Sequence, residues 1–120
     1  PRPRGPMSAA VFLHEVGHHA IGFNRYKPRC LEEYHAWAWS LAAMRRERVH
    51  ISAGVLHRVH SSLWYALGKA HRRGMKAVPA ELAPFIERPR RGTVSLAMQA
   101  WVDALGTQTA DATGATEVSI

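Results

Sequence analysis

Ser8-Ala9-Ala10-Val11-Phe12-Leu13-His14-Glu15-Val16-Gly17-His18-His19-Ala20-Ile21 is the stretch on which the fold turns. Val11, Phe12, Leu13, Val16 and Ile21 fall all round a helical axis, which predicts a helix with no wholly polar face, lying inside the molecule. Ser8 is the expected N-cap, and Gly22 with Asn24 supplies the stop. Gly17 predicts close approach by a neighbouring element. Positions i and i+4 share a helix face, so His14 and His18 can aim two imidazole nitrogens at one ion about 2 Å away. Glu15 is displaced by about 100° from the line of those ligands, where it reaches a metal-bound water instead of the metal, the place of a general base.

A third ligand is offered by Cys30-Leu31-Glu32-Glu33-Tyr34-His35-Ala36-Trp37-Ala38-Trp39, which opens a second helix expected from about Leu31 to Arg48. Tyr34, Trp37, Leu41 and Met44 cluster within a sector of about 80°, defining the face turned to the core. Glu33 stands at that sector's edge, while Glu32 and His35 point well away from its centre. Phase therefore selects Glu33 as the ligand and leaves Glu32 as an acid complementing the helix dipole. His14-Glu15-Val16-Gly17-His18, followed by Glu33 with Trp37 and Ala38 four and five positions later, resembles the zincin-like metallopeptidases of the ImmA/IrrE type and their phage or mobile-element relatives. The resemblance covers roughly residues 8–46. It implies Zn2+ held by His14, His18 and Glu33, with Glu15 as the catalytic acid/base. Such enzymes place a small β-sheet before the motif helix, whereas here seven residues precede it, so the sheet is expected to be reduced or missing.

The rest of the chain agrees with a mainly α fold. A helix from about Ser52 to Arg73 carries Val55, Leu56, Val59, Leu63, Trp64 and Leu67 at helical spacing and closes on Arg72-Arg73-Gly74. Pro79 opens a short helix from Ala80 to about Glu87, and Val94 to Leu105 reads as a last amphipathic helix. The division expected is a disordered segment over 1–7, a single helical zincin-like domain over 8–105 and a disordered tail over 106–120. With 120 residues, 47% of them apolar, the chain supports one modest core and hence one site. It begins with Pro1, and Met7 is another possible start.

Cys30 is the only cysteine, so no internal disulfide forms, and zinc sites built on two or four cysteines are excluded. A free thiol and the lack of any apolar run of about 18 residues point to a cytoplasmic protein without a membrane partner. Sixteen Lys and Arg against nine Asp and Glu give a formal charge of +7, an attraction for anionic surfaces. The basic runs Arg45-Arg46, His71-Arg72-Arg73 and Arg88 to Arg91 sit at segment ends, without a nucleic-acid recognition motif. His19, His50, His57, His60 and His71 are expected to be solvated or supporting, and Cys30 a small buried residue. Tyr34, Tyr65 and several histidines are equally eligible as the electrophile of a hydrolytic reaction. The function expected is a zinc-dependent metallopeptidase acting on a peptide or protein through a metal-activated water. The alternative is a non-catalytic metal-stabilised binding module, with nucleic acid a possible contact of its basic surface.

Overall fold

Pro6 sets the first helix going. Its fixed φ suits the first helical turn and its missing N–H needs no partner there, so α1 runs Pro6–Ile21 with Gly5, in extended backbone, at the N-cap. The computed structural model describes residues 5–115. Ser8, the expected cap, is an exposed residue inside α1, and of the segment expected to be irregular Pro6 and Met7 are helical. Gly22 ends α1 at φ 88°, a conformation that favours glycine, and its N–H donates to the His19 carbonyl.

α2 spans Arg29–Arg46, starting and ending two residues before the expected bounds. α3 spans Ala53–Arg72, and the Ser52 hydroxyl accepts from the Val55 N–H at 3.2 Å to cap it. Gly74, at φ 101°, follows its end as expected. Pro84 interrupts the next segment as a short 3₁₀ helix, Ala80–Phe85. α4 runs Leu96–Ala115, begun by the Ser95 hydroxyl accepting from the Met98 N–H. Its backbone stays helical past Leu105, so the tail expected from Gly106 is not irregular as far as Ala115. Residues 1–4 and 116–120, which complete the two expected disordered ends, lie outside the described residues. The chain is mainly helical, with no strand among the described residues.

Two different faces of α2 build the molecule. Trp37, Leu41 and Met44 pack with Val55, Val59 and Leu63 of α3, Leu82 and Phe85 of the 3₁₀ segment, and Met98 and Val102 of α4. A second face, made of the small residues Ala36 and Ser40, lies against α1. There the Ser40 hydroxyl donates to the Ala10 carbonyl at 2.9 Å, and a Cβ on Gly17 would stand 2.8 Å from the Ala36 carbonyl oxygen. The close approach expected of Gly17 is therefore real, and Ala36 and Ser40 provide it. α1 is not an interior helix, however: it buries Ala9, Ala10, Gly17 and His18, while Phe12 is 53% exposed and Glu15 faces outward. Small residues on the buried side let two backbones touch, and that contact does not depend on apolar bulk all round the helix.

Candidate metal centre

The contact between α1 and α2 sets one turn of the first helix over the first turn of the second. His14 and His18 project from α1 and Glu33 from α2. His14 Nε2 lies 3.0 Å from Glu33 Oε1, His18 Nε2 lies 3.1 Å from Glu33 Oε2, and the two Nε2 atoms are 3.2 Å apart. Ligands about 2.0–2.1 Å from a tetrahedral zinc stand roughly 3.3–3.4 Å from one another, so these three donors lie close to the spacing of one coordination shell. The indole of Trp37 stacks on His14, with ring centres 4.0 Å apart and planes at 12°, which fixes that imidazole's orientation. Burial raises the Glu33 carboxyl, but the His14 hydrogen bond and the charges of His18, His14 and Arg29 outweigh it and hold the group below the usual carboxylate range. Arg29 Nε stands 3.6 Å from Glu33 Oε2.

Glu32 has a part that the phase of the bulky residues did not assign to it. It stands in the first turn of α2, as an acid complementing the helix dipole does, but it is also 2% exposed, its Oε2 lies 3.0 Å from His18 Nδ1, and its Oε1 accepts from the Asn24 N–H at 3.1 Å. An ionised carboxylate only accepts, so its pairing places a His18 proton on Nδ1 and, in the neutral ring, turns the Nε2 lone pair toward His14 and Glu33. His14 Nε2 and Glu33 Oε2 face that lone pair, and with the His14 proton on Nε2 the cluster is closed by its hydrogen bond to Glu33 Oε1, whereas with that proton on Nδ1 three acceptors converge. In the second arrangement a cation at their meeting point satisfies all three. Metal-ligating histidines characteristically give their second nitrogen to a carboxylate in this way. The missed signal was the small face of α2: Glu32, Ala36 and Ser40 succeed one another at four-residue steps, and that row lies under α1.

Glu15 is 72% exposed in its side chain, and its Oε2 lies 3.5 Å from His14 Nδ1. The structure thus sets it beside the ring nitrogen opposite the one that meets His18 and Glu33. Among the tyrosines, Tyr34 is taken up elsewhere, its hydroxyl accepting from the Trp101 N–H at 3.0 Å, and burial pushes its phenol up. Tyr65 instead lines a groove of about 890 Å3 that also includes Arg29 and Glu33. His35 stacks on Tyr26, His60 contacts the Glu87 carbonyl oxygen through Nε2, and His19 is exposed against Phe23. Cys30 is buried, as expected, and burial pushes its thiol up. His14, His18 and Glu33 are the one group of candidate metal ligands found among the described residues. No helix among the described residues is long and apolar enough to cross a membrane. No protein-family model, curated protein or solved structure matches the chain.

Proposed function

We propose that the chain is a zinc-dependent hydrolase of the metallopeptidase kind, with His14, His18 and Glu33 as the ligands and Glu15 as the acid/base. One observation carries this reading. Three donor atoms meet at 3.0–3.2 Å while the outer nitrogens of both imidazoles turn to carboxylates, Glu32 for His18 and Glu15 for His14. Two imidazoles and one carboxylate suit zinc, and three protein ligands are the number catalytic sites use. When bound, such an ion supplies Lewis acidity toward a carbonyl and lowers the pKa of water. Glu15, exposed and adjacent in sequence to a ligand, removes a proton from water and returns it to the leaving amine. Tyr65 and Arg29 line the groove that Glu33 borders, which supports a part for them in meeting the substrate's polar groups. The resemblance to ImmA/IrrE-type zincins, and the cytoplasmic setting that the lone cysteine suggests, belong to this same reading.

The position of Glu15 on the Nδ1 side of His14 favours a second reading. In it Glu15 only orients the ligand, and the chain is a metal-stabilised binding module with a basic surface open to nucleic acid. Elemental analysis and a peptide-hydrolysis assay on wild type, Glu15→Gln, His14→Ala and Glu33→Ala separate the two. The hydrolase reading expects one zinc per chain in wild type and Glu15→Gln, its loss in the ligand variants, and hydrolysis in wild type alone. Unchanged hydrolysis in Glu15→Gln removes the mechanism, and full zinc retention in both ligand variants removes the site.

A further inference from the structure

The groove of about 890 Å3 beside the metal centre runs between the start of α2 and the second half of α3. Cys30, Ala66, Ala70 and Met75 give it an apolar surface. Arg29, Lys69 and Arg73 give it three cations, and Glu33 is the one carboxylate lining it. That carboxylate is already engaged by His14 and His18, and Arg29 Nε stands 3.6 Å from it. The Cys30 thiol, pushed up by burial and within 3.9 Å of the Met75 sulfur, brings no negative charge. Lys69 and Arg73 are one turn apart at the C-terminal end of α3, Arg73 as its C-cap, a spacing at which like charges repel, and neither has a carboxylate within ion-pair distance among the described residues. The ordinary remedy for such a pair is an acid on the facing helix, yet the facing residue of α2 is another cation, Arg29.

A groove that combines apolar surface with three cations, two of them without a carboxylate in ion-pair distance among the described residues, matches a ligand with an apolar body and one anionic end. We propose that it binds the C-terminal residue of a peptide, with the free α-carboxylate held by Arg29, Lys69 and Arg73 and an apolar side chain lying along Ala66, Ala70 and Met75. Guanidinium groups pair with carboxylates bidentately and more strongly than neutral donors do. Glu33 belongs both to the groove and to the metal group, so a residue seated there lies next to the metal centre. The substrate class is then peptides with a free carboxyl terminus. In the reaction water adds to the carbonyl carbon, the C–N bond breaks, and the proton passes to the leaving nitrogen, giving a shortened peptide acid and a free amino acid. This substrate assignment rests on the hydrolase reading, but binding in the groove can be measured without it.

The test is equilibrium binding of N-acetyl-alanyl-leucine, as the free acid and as the C-terminal amide, to the full chain with zinc and after chelator treatment. The acid is expected to bind about tenfold tighter than the amide in both states, as loss of a charge-assisted contact implies. The Lys69→Ala/Arg73→Ala double variant is expected to lose that preference while keeping its helix content, because both side chains are exposed. Equal binding of acid and amide by wild type overturns the proposal, as does a preference that survives in the double variant. Inorganic phosphate binding more tightly than the peptide acid also overturns it, assigning the groove to a different anion. If no zinc is found and the acid preference persists, the metal reading fails while the groove stands. If zinc is present and acid and amide bind alike, the groove assignment alone falls.

Discussion

Glu32 carries a carboxylate at 2% exposure, which costs several kcal/mol unless the charge is partnered on every side. Its partners are the Asn24 N–H and His18 Nδ1, and neither would be so placed by the needs of a helix dipole. Glu32→Gln keeps the shape and can still accept one hydrogen bond, but it loses the charge that holds the His18 proton on Nδ1. Zinc affinity, measured by competition with a chromophoric chelator, is expected to fall roughly 10–100-fold with the fold intact. Unchanged affinity in a folded variant would show that Glu32 has no part in the site. His14, His18 and Glu33 were legible in the sequence because helical spacing alone puts the first two on one face and the phase of α2 selects the third. Glu32 was not, since Tyr34, Trp37, Leu41 and Met44, which define the phase, mark only the face turned to α3 and α4. The side of Glu15 relative to His14 was equally out of reach, because side-chain rotation decides it.

At the scale of elements, the site exists because α1 and α2 can approach until backbone meets side chain. Ala10, Gly17, Ala36 and Ser40 are the residues that allow it. Gly17→Ala ordinarily gains about 1 kcal/mol of helix propensity. Here the new Cβ would lie 2.8 Å from the Ala36 carbonyl oxygen, a backbone atom with no rotamer in which to retreat. The helices must separate, and overpacking of this kind costs about 1–3 kcal/mol. Gly17→Ala is therefore expected to lower the urea midpoint and to weaken zinc binding together, since separation draws His14 and His18 away from Glu33. A midpoint raised above wild type, measured by circular dichroism, would refute the close contact. The helices themselves were readable from periodicity, and α3 almost to the residue, because Ser52 and Gly74 are unambiguous punctuation. α1 was misjudged at its start, where Pro6 outcompetes Ser8 as the opening signal, and in its depth, where scattered apolar residues suggested an interior helix that Phe12 contradicts. α4 was cut short because Gly106 and the Thr- and Ala-rich run beyond it offer weak periodicity, whereas the backbone carries on to Ala115.

For the molecule as a whole, α1 is the element with least claim on the core. Its buried residues are Ala9, Ala10, Gly17 and His18, so it contributes few large apolar side chains to the cluster that Trp37, Leu41, Met44 and Phe85 dominate. The apolar area it buries is correspondingly small, and at about 25 cal/mol per Å2 that area binds it weakly. An ion shared by His14, His18 and Glu33 would join α1 to α2 at the contact made by their small residues, and it would bind the folded chain in preference to the unfolded one. Linkage then fixes the effect: at free zinc about 100-fold above Kd the fold gains about 2.7 kcal/mol. For a domain of this size each kcal/mol moves Tm by about 4 °C, so calorimetric Tm is expected to rise by roughly 10 °C on adding zinc and to fall back with chelator. The same titration on His14→Ala should leave Tm independent of zinc. A wild-type Tm that ignores zinc across a hundredfold range would mean that the three donors hold one another by hydrogen bonds alone, and would remove the metal from the fold and from the chemistry together.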